Sequence, residues 1–331
     1  MVTRARALRL VGKSTLLILL SLAWIWGTLA LYFSFPAASG IRLLVAVVFA
    51  TSLPACLVLT RMDYRGLTLC LGMFGIVLYW WQNIEPLGNK EWAPDVAQVA
   101  HGDIEDDTLT LNKLRNFRYA EDGSFTEQWE TRRYNLADIR GLDLFLSYWG
   151  SPNVAHAILS WDFGEDQYLA ISIETRKDIH QEYSAIKGFF KQFELSYVAA
   201  DEEDVIRLRT DIRGERVYGY RLSVTGERAR ALLENYLAEM NRLTGEPEFY
   251  NALTRNCTTT IRLHNKAIDP DTLPPPDWRI IASGYLDELL YERGALDTSL
   301  PFSELRSRSR IAEWKQIEEG RAYFRQPSTE D

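Results

Sequence analysis

Residues 15–35 (TLLILLSLAWIWGTLALYFSF) run for 21 positions without a charge. A bilayer core of about 30 Å is crossed by a helix of roughly 20 apolar residues, because only a helix satisfies every backbone polar group within the segment itself. The run exceeds the apolar core of a signal peptide, about 7–15 residues, although the small residues Ala37, Ala38 and Ser39 follow it. Residues 41–60 read as a second span, with Arg42 placed to snorkel and Pro54 as a tolerated kink. Residues 67–82 (LTLCLGMFGIVLYWWQ) are shorter and end in Tyr79, Trp80 and Trp81. That ending is the aromatic belt of a membrane–water boundary, while the length also fits a buried core helix.

Orientation follows from the basic residues. Arg4, Arg6, Arg9 and Lys13 precede the first span, Arg61 and Arg65 separate the second from the third, and residues 36–40 hold no Lys or Arg. Cytoplasmic loops carry the excess of Lys and Arg, so the N-terminus stays inside. Three spans then deliver residue 83 onward to the periplasmic side of an inner membrane; two would leave it in the cytoplasm. Residues 1–84 carry seven Lys/Arg against one Asp, and the whole chain is −8, so residues 85–331 sum to −14. Such a balance repels nucleic acid, which is excluded as a partner, and membrane lipids are the partner that the anchor implies.

The expected layout is a transmembrane anchor over 1–82, a juxtamembrane linker over 83–102, a soluble domain over 103–325 and a disordered tail over 326–331. Within the domain, LTLNKLRNF and SFTEQWETRRYNL resemble strands of an antiparallel sheet. HAILSWDF and QYLAISIETR flank Gly164-Glu165-Asp166 and read as a hairpin. VIRLRTDIR and VYGYRLSV read as a further strand pair around Gly214, and residues 182–193 suggest a short helix. Ala229, Leu232, Leu233, Tyr236, Leu237, Met240 and Leu243 recur at helical spacing. Another helix begins near Asn256, and residues 282–294 fit one closed by Gly294. The fold class is α+β with a mainly antiparallel sheet.

Cys56 and Cys70 lie in apolar runs, so Cys257 is the one cysteine of the soluble part. It cannot form a disulfide within that part, and it reads either as an inert buried thiol or as a reactive one. In TRNCTTTIRLHNKAI, Thr254 or Asn256 can cap a helix whose first turn holds Cys257. Free N–H groups at such a terminus favour the thiolate and can hold an oxyanion. Among four histidines, His264 lies seven residues along the same helix, about 10 Å away, too far to serve as base. His101 and His180 lie in charged stretches, which leaves His156, at the start of HAILSWDF. If the hairpin turns on Glu165, residue i faces residue 330 − i, which sets His156 opposite Glu174 with Ser172 on the same face. A carboxylate there would orient the imidazole, the logic of a triad. Arg176 shares that face, placed either to neutralise Glu174 or to receive an anionic substrate. No metal-ligand spacing, phosphate loop or cofactor motif is present, so no metal and no cofactor are expected.

The stretches LRNFRY (114–119), AHAILSWDF (155–163), SIETR (172–176), IRLRTDIR (206–213), PEFYNALTRNCTT (247–259) and ASGYLDELLYERG (282–294) resemble, in that order, the periplasmic N-terminal domain of Lnb-type lipoprotein N-acyltransferases. The resemblance implies a circularly permuted papain-like or NlpC-like domain, with His156 and Cys257 as the catalytic pair and Glu174 as the third member. It implies thiol-dependent acyl transfer or hydrolysis on lipid or lipoprotein acyl groups. A peptidoglycan amidase or peptidase and a non-catalytic envelope scaffold are the alternatives, with lipoproteins or peptidoglycan as partners. In the resembled enzymes the membrane part is expected after the domain, whereas here it precedes it.

Overall fold

The computed structural model describes residues 2–60, 63–120, 122–271, 274–320 and 322–325, with side chains from residue 11 onward. The expected tail, 326–331, lies outside the described residues. The chain divides into two units: residues 1–87 with 184–192, and residues 88–183 with 193–331.

The first unit is built on three helices, α1 (Val2–Ser34), α2 (Ser39–Thr60) and α3 (Tyr64–Gln82). They share a buried seam that includes Leu20, Trp24, Leu31, Phe49, Leu53, Cys56, Cys70 and Val77. The Trp24 indole N–H donates to the Phe49 carbonyl at 2.9 Å, and the two rings stack at 4.9 Å. Outward-facing positions are as apolar as the seam: Leu19, Ile25, Val48 and Ile76 are all exposed. Two of the helices, over 11–34 and 39–60, are long and apolar enough to cross a membrane. Asp63 caps α3, accepting from the Gly66 N–H at 2.9 Å. The segment 184–192 belongs to this unit. Lys191 donates through Nζ to the carbonyls of Trp81 and Ile84 at 2.8 and 3.0 Å, closing the C-terminal end of α3, where helix carbonyls lack partners. Residues 182–193 yield only a 3-10 turn at Lys187–Phe189.

The second unit is α+β. Its strands are β1 (His101–Glu105), β2 (Thr108–Arg115), β3 (Arg118–Tyr119), β4 (Phe125–Thr126), β5 (Trp129–Asn135), β6 (Gly141–Tyr148), β7 (Ala155–Asp162), β8 (Tyr168–Arg176), β9 (Glu194–Ala200), β10 (Arg216–Arg221) and β11 (Arg310–Ile311). Nine of them form one sheet in the order β1-β2-β9-β8-β7-β6-β10-β11, with β5 also on β2. All of its pairings are antiparallel except β2 with β9, which makes the sheet mixed. The helices are α4 (Glu202–Arg207), α5 (Gly226–Gly245), α6 (Cys257–Ile268), α7 (Leu286–Glu292), α8 (Phe302–Arg308) and α9 (Lys315–Glu318).

Strands β6 to β9 are buried along nearly their whole length because both faces are covered. Alternation splits their side chains. Leu159, Trp161, Ile171 and Tyr197 face the apolar stripe of α5, and Ile158, Phe145, Ala170 and Val198 face α4 and the C-terminal segment. The seven apolar positions expected on α5 are the seven that are buried. The β7–β8 turn sets Gly164, Glu165 and Asp166 at positive φ, and Ile158 pairs with Ser172 in the expected register.

Two expectations change. The stretch 83–102 is domain rather than linker from Gly88 onward, since Ala93, Val96 and Ala100 are buried and Trp92 bridges to Asp178. VIRLRTDIR is not a strand. Asp201 caps a helix there, and Glu202, Glu203 and Asp204 fill the first turn, where carboxylates suit the helix dipole. The helix then widens into a π-turn at Leu208–Ile212.

Candidate active site

Cys257 is the first residue of α6. Asn256 is its N-cap: its Oδ1 accepts from the Thr259 N–H at 2.8 Å, and the Thr259 hydroxyl closes a capping box on the Asn256 N–H at 3.0 Å. Asn256 therefore fixes where the helix starts, and with it the thiol. Thr258 ties the same turn to the Ile280 carbonyl.

β7 brings the base. The β7–β8 ladder runs from Asp162↔Tyr168 to Ile158↔Ser172 and opens beyond it. Odd-numbered residues of β7 point their backbone groups toward β8, as Phe163 does in donating to Gln167. Where the ladder opens, two side chains take over those groups. Ser283 Oγ accepts from the Ala155 N–H at 3.0 Å and donates to its carbonyl at 2.7 Å, and the Ala157 N–H is given to the Cys257 sulfur. The gap between two strands thus seats the thiol beside His156, to which it is hydrogen-bonded.

The other side of the imidazole is held by oxygen. His156 Nε2 lies 2.7 Å from Ser172 Oγ and 3.1 Å from Glu174 Oε1, and Ser172 Oγ donates to Glu174 Oε1 at 2.6 Å. With Nε2 committed to those oxygens, Nδ1 is the ring nitrogen left for the thiol. Extending the hairpin register by two residues sets His156 opposite Glu174, which is why the two meet.

The charges sort accordingly. Burial pushes the Cys257 thiol up, but the hydrogen bond and charge of His156 and the Ala157 N–H outweigh it, and its pKa falls below the ordinary thiol value. Burial disfavours the imidazolium, yet Glu174 and the Cys257 partnership raise His156 to about 9. Burial likewise opposes the Glu174 charge, while His156, Arg209 and Ser172 hold its pKa well below the usual carboxylate range. Both shifts act toward a thiolate–imidazolium pair.

Arg209 is the residue that sequence reasoning missed. Its guanidinium is buried, donating to Glu174 Oε1 at 3.0 Å and to the Val205 carbonyl at 2.8 Å. Arg176, placed on the Glu174 face by alternation, does not pair with it. Its guanidinium turns away, donating to the carbonyls of Val96 and Ala97 at 3.1 and 2.8 Å and lying 4.4 Å over the Trp92 ring. A helix and not a strand over 202–207, ending in a π-turn, delivers the arginine. The acidic run Asp201-Glu202-Glu203-Asp204 ahead of Val205 was the signal available in the sequence.

Trp149 stands 6.4 Å from the His156 ring and 6.4 Å from that of Tyr183, and both Trp149 and Tyr183 are exposed, so the site opens at an aromatic rim. His264 takes no part. Tyr197 and Asn235 hold its two nitrogens at 2.7 and 2.6 Å, and burial lowers it to about 4, which keeps it neutral. Among the described residues, no cluster of His, Cys, Asp and Glu is arranged to hold a metal ion.

No curated protein and no solved structure matches the chain. A family model does, over residues 125–284, which takes in β4 to β10, α4 to α6 and the residues His156, Ser172, Glu174, Arg209, Cys257 and Ser283. This segment matches the family described as the Lnb N-terminal periplasmic domain.

Proposed function

We propose that the chain is a membrane-anchored thiol enzyme that transfers or hydrolyses acyl groups, its domain a permuted papain-like fold on the periplasmic side of an inner membrane. The observation that carries this reading is the Cys257–His156 hydrogen bond backed by Ser172 and Glu174. Cys257 sulfur attacks an ester or amide carbonyl, and the oxyanion is met by the backbone N–H of Cys257 at the start of α6. The imidazolium of His156 gives its proton to the leaving alcohol or amine. The resulting thioester passes its acyl group to an amine, a hydroxyl or water, with His156 taking the proton from that acceptor. Glu174 and Ser172 hold the ring through both steps.

The anchor and the family favour lipid or lipoprotein acyl groups as substrate. The reading takes all three helices as spans, since α3 shares their buried seam and exposes Leu69, Leu71 and Ile76 as the others do. The test is intact-mass and peptide mapping of the full-length chain in nanodiscs after brief exposure to p-nitrophenyl dodecanoate. One acyl group is expected on Cys257, labile to hydroxylamine and missing from Cys257→Ala. Equal acylation of both proteins, or none of the wild type, overturns the reading.

A further inference from the structure

The soluble unit holds a second feature apart from the thiol. A cavity of about 480 Å³ lies between α6 and the sheet. It runs along α6 from Thr258 to Asn265, about 10 Å at the helical rise. Its walls are hydrocarbon, chiefly Leu144, Leu159, Leu232 and Leu289. Neither Cys257 nor His156 lines it, although Thr258 and Ile280, which fix the first turn of α6, do. Protein interiors seldom leave voids larger than a water, and an apolar space of this size falls within the range of ligand pockets, about 300–1,000 Å³.

Three arginines, Arg228, Arg262 and Arg293, also line it, and Arg228 is paired with Asp269 at 3.2 Å. Arg262 donates to the Pro274 carbonyl at 2.7 Å and Arg293 to the Pro275 carbonyl at 3.3 Å. Among the described residues, neither has a carboxylate within ion-pair distance, although acidic residues outnumber basic ones by 14 over 85–331. Burial, and then the charge of Arg293, hold Arg262 below its ordinary value. Two such groups over an apolar slot are complementary to one alkyl chain ending in an anionic oxygen group, which guanidinium binds in its planar fork.

We propose that this cavity binds a single alkyl chain among its leucines, with the chain's carboxylate or phosphate end between Arg262 and Arg293. The proposal does not depend on the thiol chemistry. It is tested on the full-length chain in nanodiscs, photolabelled with dodecanoate carrying a terminal diazirine, with adducts mapped by peptide mass. Labelling is expected on peptides holding Leu159, Leu232 or Leu289. Unlabelled dodecanoate or dodecyl phosphate should compete and dodecanol should not, and the better competitor tells a fatty acid from a single-chain phospholipid. Arg262→Gln with Arg293→Gln should weaken labelling about tenfold. Leu232→Trp, which fills the slot, should abolish it. If the Trp variant does not fold, the arginine pair decides, with Cys257 alkylation at the wild-type rate as its folding control. No adduct in the cavity, equal competition by dodecanol, or undiminished labelling of the arginine variant overturns the proposal.

Discussion

Glu174 takes three contacts on one oxygen, from His156, Ser172 and Arg209, and each does a different job. His156 gains its charge from the carboxylate, Ser172 fills the space between the two, and Arg209 keeps the carboxylate ionised despite its burial. Glu174→Gln removes the charge that raises His156, so the imidazolium is lost at lower pH and the thiolate loses its counter-charge. Alkylation of Cys257 by iodoacetamide at pH 7 should fall about tenfold or more, since each pKa unit is a factor of ten in the thiolate fraction below the pKa. An unchanged rate would remove Glu174 from the site. Arg209→Met should shift the acid limb of alkylation upward, because Glu174 then ionises less readily. The pH profile of acyl transfer carries opposite signs on its two sides. The acid limb rises as Cys257 deprotonates, below the ordinary thiol value, and the alkaline limb falls near 9 as His156 loses the proton that the leaving group needs. In stability the His156 shift is fully favourable below its unfolded value of about 6.5 and disappears as pH rises through about 9.

Arg209 owes its place to contacts far from the thiol. Asp204 on α4 accepts from Arg115 through both oxygens, at 3.0 and 2.9 Å, from the Phe117 N–H at 2.7 Å and from the Tyr119 hydroxyl at 3.1 Å. The motif LRNFRY is thus a clamp on α4, and the π-turn that follows α4 carries Arg209 to Glu174. Asp204→Ala leaves Arg115 buried without a counter-charge and should cost about 3–5 kcal/mol in denaturant unfolding of the soluble unit. A cost under about 1 kcal/mol would show that the clamp does not hold α4. This division also explains what the sequence discloses. The β7–β8 register follows from three turn residues and the period of two, and α5 from its apolar spacing, because local rules set both. The meeting of His156 and Glu174 was legible for the same reason. The Arg209 contact was not, because IRLRTDIR alternates like a strand and is helical only through Asp201 as cap and the clamp on Asp204. Nor was the Ala157 N–H, whose availability depends on a ladder opening after Ile158.

At the scale of the whole molecule, the three helices share a buried seam and expose many apolar side chains, and residues 85–331 carry a net charge of −14. The side on which the acidic part emerges depends on α3, which is 19 residues long and bounded by Arg65 at one end and Trp80, Trp81 and Gln82 at the other. If α3 crosses, residues just before and just after it lie on opposite sides, and Arg4, Arg6, Arg9, Arg61 and Arg65 all lie inside. Single cysteines placed by Thr3→Cys, Tyr64→Cys and Asn89→Cys, each in a Cys257→Ser background, decide the matter in intact cells with a membrane-impermeant maleimide. Only the Asn89→Cys protein should be labelled, and the other two only after the membrane is permeabilised. Labelling of Tyr64→Cys and Asn89→Cys together, or of neither, would mean that α3 does not cross. The soluble part would then share a compartment with the loop ahead of α3, and the periplasmic placement of Cys257 would fall while the geometry of its site would stand.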